Sequence, residues 1–114
     1  MNTKVFTTLL MLCFSLNLAF SQENFKLMFY NVLNYPLEAP ANRIQDLAVI
    51  IDDYRPDLFM ICELNNEEGA NNILSIMQPI NADYRRATFQ FNTSDDDIGN
   101  SNELQNLIFY DRTS

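Results

Sequence analysis

Histidine is absent from the 114 residues, glycine and cysteine each occur twice, and seven basic residues stand against fifteen acidic ones. Each shortage removes a class of chemistry. Without histidine the chain cannot by itself assemble a serine–histidine or cysteine–histidine nucleophile. With Gly69 and Gly99 as the only glycines, it has no glycine-rich loop to cradle phosphate. The formal charge is −8. A surface of that sign does not attract polyanions, so a phosphate-bearing partner would be met through a bound cation rather than through lysine and arginine.

Nor does any uninterrupted apolar run reach the roughly 20 residues that cross a bilayer. Lys4 leads into a mostly apolar stretch over residues 5–14, extended through 15–20 and broken by Thr7, Thr8, Ser15 and Asn17. Ala19-Phe20-Ser21 then sets small residues ahead of Gln22. That pattern reads as a signal peptide over residues 1–21, with a mature chain of residues 22–114 that is secreted, extracellular or periplasmic, and has no transmembrane segment. Residues 1–21 hold only Lys4 among charged residues, so six basic and fifteen acidic residues give the remainder a charge of −9. Cys62 becomes the only mature cysteine, which excludes a disulfide within the chain. Lying in Leu58-Phe59-Met60-Ile61-Cys62, it reads as a buried small hydrophobe.

What remains is rich enough to fold. An apolar share of 47% and an aromatic share of 12% argue against collagen-like, low-complexity and disordered chains, and the length suits one small domain or part of a larger one. Residues 25–31 are apolar and aromatic and run into turn-forming Asn34, Pro36 and Pro40, which predicts a buried strand entering a loop. Asn42 is placed to cap a helix with Ile44, Leu47, Ala48, Ile51 and Tyr54 on its apolar face, closed by Arg55-Pro56. Residues 57–62 read as a second buried strand and 67–77 as a second helix, closed by Pro79. Residues 84–91 and 104–110 read as further strands around an acidic, polar loop at 92–102. The aromatics on these strands, Phe25, Phe29, Tyr30, Phe59, Phe89, Phe91, Phe109 and Tyr110, read as core. Strand, helix, strand, helix, strand, strand is an α/β layer with an open edge, and an apolar strand so near Ser114 suggests the N-terminal part of a longer protein.

Two polar residues end apolar strands: Asn31 and Glu63. In open α/β sheets ligands gather at the carboxyl ends of the strands, so a strand–helix–strand unit would bring both side chains to one edge. A carboxylate leaving a dry strand needs a partner. A hard divalent cation is one, bound through one or two carboxylates, water and substrate phosphate. Spacing alone also allows the plainer reading, in which Asn31 forms a turn and Glu63 is a solvated acid beside the next helix.

Lys26-Leu27-Met28-Phe29-Tyr30-Asn31-Val32 resembles the first strand of the endonuclease/exonuclease/phosphatase superfamily, which ends in an Asn-Val pair. Arg55-Pro56-Asp57-Leu58-Phe59-Met60-Ile61-Cys62-Glu63 is similar to its second strand, with a helix in the expected interval. Asn42-Arg43 and Leu107-Ile108-Phe109-Tyr110 fit as well, so that the resemblance spans most of residues 25–112.

The resemblance implies the N-terminal part of a DNase I-like two-sheet α/β sandwich with helices packed outside the sheets. It implies a secreted, metal-dependent phosphoesterase, an endonuclease-like phosphodiester hydrolase acting on a phosphate ester such as nucleic acid. Glu63 carries over as the metal ligand, Asn31 as the catalytic asparagine beside the metal, and Mg²⁺ or another divalent cation such as Mn²⁺ or Ca²⁺ as the cofactor. The family's Asp-x-Asn and Asp-His groups would fall beyond Ser114, leaving the 114-residue chain inactive on its own. Leu33 stands where some relatives carry a second acid, and Glu103 matches an acid of DNase-like members only loosely. The alternatives are a lipid or sugar phosphodiesterase, or a non-catalytic exported binding module on the same fold. Asp95-Asp96-Asp97 lacks EF-hand spacing and reads as a solvated loop, and Arg85-Arg86 reads as surface.

Overall fold

The computed structural model describes residues 24–38, 40, 42–92 and 104–114. The expected signal peptide, the Asp95-Asp96-Asp97 loop, Gly99 and Glu103 lie outside these residues. The elements run β1 (Leu27–Tyr35), α1 (Arg43–Tyr54), β2 (Leu58–Leu64), α2 (Glu67–Met77), β3 (Tyr84–Arg86) and β4 (Gln105–Asp111). One mixed sheet forms in the order β1-β2-β4-β3, parallel between β1 and β2 and antiparallel elsewhere. The described residues thus form a small α/β unit of four strands and two helices.

Local chemistry sets the boundaries. α2 begins where the Asn66 side chain accepts the Gly69 N–H at 2.9 Å, with Glu67 and Glu68 favourably placed in the first turn. α1 ends on Arg55, a left-handed cap (φ 50°) whose N–H donates to Ile51 O at 2.8 Å; Pro56 after it bars further helix. Asn42 caps differently from expectation. Its backbone is already right-handed helical, so its side chain makes no capping bond, and its carbonyl accepts from Gln45 N–H instead.

Both helices bury their apolar stripes on one face of the sheet. Leu47 and Ile51 from α1, and Ala70, Ile73 and Met77 from α2, meet Val32, Phe59, Ile61, Leu107 and Phe109 in one cluster. Phe59 and Phe109 stack across β2 and β4 with ring centroids 5.7 Å apart. Tyr84 is buried beside them and its hydroxyl donates to Pro56 O at 2.9 Å. Burial pushes its phenol up to about 12.

The opposite face is apolar and open. Register places Leu27 beside Leu58 and Tyr110, and Phe29 beside Met60 and Ile108. Phe29 is 64% exposed, Leu27 54%, Ile108 38% and Tyr110 37%. This corrects the expectation that the strand aromatics are core. Phe59, Phe89 and Phe109 are buried, but period-two alternation turns Phe29 and Tyr110 away from the helices, while Phe25 and Phe91 lie exposed outside the strands. Cys62 shares that outward parity and is half-buried rather than buried. Tyr54, expected on the apolar face of α1, is exposed, its hydroxyl donating to Leu27 O at 3.2 Å. The strand expected over 84–91 pairs only through Arg86. Ala87 N–H makes one more bond to Ile108 O, and the chain then leaves the edge to bury Phe89.

Two carboxylates staple the end of the sheet where β2 begins. Asp57 accepts Lys26 N–H at 2.6 Å and the Ser114 hydroxyl at 2.7 Å. Asp111 accepts Thr113 N–H at 2.8 Å, the Thr113 hydroxyl at 2.7 Å and the Asn81 amide at 2.6 Å. These bonds, led by the backbone N–H in each case, hold both acids below the ordinary carboxylate range. A lowered folded-state value contributes stability above the unfolded value and loses it as pH falls through the folded one. Urea midpoints are therefore expected to stay level down to about pH 5 and to drop below about pH 4. The Asp57→Asn, Asp111→Asn double variant should start lower and show a shallower acid limb.

Candidate functional site

Because β1 and β2 are parallel, both finish at the same edge of the sheet. Regular pairing runs from Leu27↔Leu58 to Asn31↔Cys62, then breaks: the next pair is Tyr35↔Leu64, so β1 spends four residues where β2 spends two. β2 is irregular against β4 at the same level, between Ile61↔Leu107 and Leu64↔Gln105. Three residues here, none of them glycine, have left-handed backbone: Leu33 (φ 49°), Asn34 (φ 55°) and Glu63 (φ 59°). Bulges of this kind re-aim side chains, and they concentrate beside functional sites. The effect on β2 is visible in parity, since Ile61 and Leu64 are both buried although three residues apart.

The kink turns the Glu63 carboxylate onto Asn31. Asn31 Nδ2 donates to Glu63 Oε1 at 2.6 Å, while Asn31 Oδ1 accepts the Leu33 N–H at 2.7 Å. The asparagine is thereby held at both ends of its amide, and its orientation is fixed by its partners. Glu63 Oε2 has no hydrogen-bond partner among the described residues. Asn31 is exposed and Glu63 half-buried. The ion pairs among the described residues, Arg55–Asp52, Arg86–Glu67 and Arg112–Asp83, leave Glu63 untouched.

As a metal site this is a partial donor set. Among the described residues no three histidine, cysteine or acidic side chains converge. One outward carboxylate oxygen beside an amide fits a Mg²⁺-like ion, which keeps several waters and needs only one or two protein carboxylates. Arg85 and Arg86 stand apart. Arg85 donates to Ala82 O and Tyr84 O, each at 2.7 Å, and Arg86 pairs with Glu67 at 2.6 Å and Asn71 at 3.1 Å.

Leu33 and Glu63 give no sign of left-handed backbone in the sequence, whereas Asn34 is of a type that tolerates it. Two supports of the site are equally hidden in the sequence. Arg43, noted in the sequence only within the Asn42-Arg43 pair, donates through Nη2 to Leu33 O at 2.8 Å and to Glu38 O at 3.2 Å. With Tyr30, Tyr35, Leu47 and Ile73 it lines a cavity of about 190 Å³ under the loop, smaller than the roughly 300–1,000 Å³ of small-molecule sites. Gly69 is the second support. A Cβ there would lie 2.9 Å from Leu64 Cδ1, 2.9 Å from Pro36 Cδ and 3.2 Å from Tyr35 Cδ1. Glycine in the first turn of α2 thus lets the helix close on both irregular strand ends.

Gly69→Ala should reverse the usual helix preference. Alanine ordinarily stabilises a helix interior by about 1 kcal/mol over glycine. Here the added methyl meets a rigid proline ring and a leucine with no exposed surface, and overpacking costs about 1–3 kcal/mol. The difference leaves a net loss of up to about 2 kcal/mol as the expected result in urea unfolding.

No family model, curated protein or solved structure matches the chain.

Proposed function

We propose that this chain is the N-terminal portion of an exported, metal-dependent phosphoesterase with a DNase I-like sandwich, acting on phosphodiesters. The observation that carries the reading is the 2.6 Å contact between Asn31, which lies inside β1 rather than at its end, and Glu63, at the level where regular pairing of β1 with β2 breaks, formed through a left-handed glutamate. A glutamate with no ion-pair partner among the described residues, held in that backbone conformation, is an expensive feature near the end of a strand, and a site would account for it.

Glu63 Oε2 would hold the cation, and Asn31 would orient the carboxylate while its remaining amide hydrogen is available to a phosphoryl oxygen. When bound, a divalent ion polarises a phosphoryl oxygen and stabilises the leaving oxygen. The chain's own part is to hold that carboxylate in a fixed orientation, since its acidic surface offers phosphate no cationic patch. The group that activates water would come from residues following Ser114.

The open sheet face supports the sandwich. Leu27, Phe29, Met60, Ile108 and Tyr110 form a continuous apolar row of the kind a second sheet covers at about 10 Å.

The test is hydrolysis of plasmid DNA and bis-nitrophenyl phosphate by the full-length protein. Cleavage is expected with Mg²⁺ or Mn²⁺, stopped by EDTA and restored by added metal. No cleavage under any of these conditions would defeat the proposal, and retained metal binding without turnover would favour a binding module.

A further inference from the structure

Arg43 stands where a cation is least favoured. It is the first residue of α1, and the partial positive charge of a helix N-terminus opposes a guanidinium there. Its Nε is buried and without a hydrogen-bond partner among the described residues, a second unfavourable feature. Neither serves the helix, so the reason for the residue lies in what its other end holds.

That end holds the loop after Asn31. One nitrogen, Nη2, spans two carbonyls five residues apart, Leu33 O at 2.8 Å and Glu38 O at 3.2 Å. The loop between them opens with two left-handed residues, Leu33 and Asn34, whose own preferences would not keep it in place. The same Leu33 residue donates its N–H to Asn31 Oδ1, and Asn31 donates to Glu63 Oε1. Hydrogen bonds therefore run without a gap from the guanidinium, across the Leu33 backbone and the asparagine amide, to the carboxylate.

We propose that Arg43 is a positioning residue for the Asn31–Glu63 pair: by pinning the 33–38 loop it fixes the asparagine amide, which in turn fixes the carboxylate. The catalytic part of this inference rests on the function proposed above; the positional part rests on the hydrogen bonds alone. Outer partners of this kind typically change metal affinity or activity by about 10–100-fold when removed.

Two measurements on the full-length protein separate the parts. In the unsubstituted protein, hindered rotation should give Arg43 separate Nη resonances in ¹⁵N spectra; a single averaged signal would overturn the positional assignment, and no variant need fold for this reading. Arg43→Met, checked for folding by circular dichroism, should displace the Asn31 side-chain amide resonances and lower kcat about 10–100-fold with a smaller change in KM. Arg43→Lys, whose single ammonium nitrogen can still meet a carbonyl, should recover most of that loss. Unchanged kcat in the methionine variant, or a lysine variant no better than methionine, would overturn the proposal. Hindered rotation in a protein that never hydrolyses phosphodiesters would sink the proposed function while leaving the positional assignment standing. Averaged rotation in an active enzyme would do the reverse.

Discussion

Glu63→Gln in the full-length protein is expected to lower metal-dependent phosphodiester cleavage about a thousandfold or more, with little change in folding. The substitution keeps the shape of the side chain and an oxygen that can accept from Asn31 Nδ2, so the 2.6 Å contact can persist. What disappears is the negative charge. Lewis-acid assistance is worth several kcal/mol, and at about 1.4 kcal/mol per factor of ten its loss reaches three orders of magnitude. Excess Mn²⁺ should rescue the variant poorly, because the missing element is an anionic ligand. Turnover within tenfold of the unsubstituted protein, measured at saturating Mg²⁺ on bis-nitrophenyl phosphate, would refute the proposed role of Glu63 as metal ligand.

Phe109→Ala is expected to cost about 3–5 kcal/mol and to leave the isolated chain largely unfolded at 37 °C. Phe109 has no exposed surface, lies on the strand between β2 and β3, and stacks on Phe59. Small domains have only about 5–15 kcal/mol to lose, and one whose sheet has an open apolar face belongs at the low end. Ile108 is the internal control. One residue away on the opposite face and 38% exposed, its replacement by alanine should shift the isolated chain by less than about 1 kcal/mol. In a full-length protein whose second sheet covers that face, the same change should cost about 2–4 kcal/mol. Urea denaturation of the two variants in both lengths reads these differences directly.

The contrast between those neighbours marks where sequence and structure part. α2 matches the expected 67–77 to the residue, because an apolar 3.6 period runs up to Pro79, and the apolar run of β2 was equally plain. Hydropathy could not say which side of a strand would be covered. Phe29 and Phe59 look alike in sequence, yet only Phe59 faces the helices. Of the candidate site, the nearness of Asn31 and Glu63 followed from parallel connection, although Asn31 falls within β1 rather than at its end. Their contact did not, since it depends on left-handed backbone at residues that give no local sign of it. β1 likewise continues to Tyr35 through Asn34, a residue whose composition reads as turn.

That backbone sets fold against use. At 33 and 63 an asparagine or glycine would sit more comfortably than leucine or glutamate, since left-handed conformations are disfavoured by about 1–2 kcal/mol for residues carrying an ordinary Cβ. A search for sturdier variants, guided by melting temperature alone, would therefore drift toward small or amide side chains at 63 and discard the carboxylate early. Under the proposed function, selection for thermal tolerance and selection for activity would pull this one position in opposite directions.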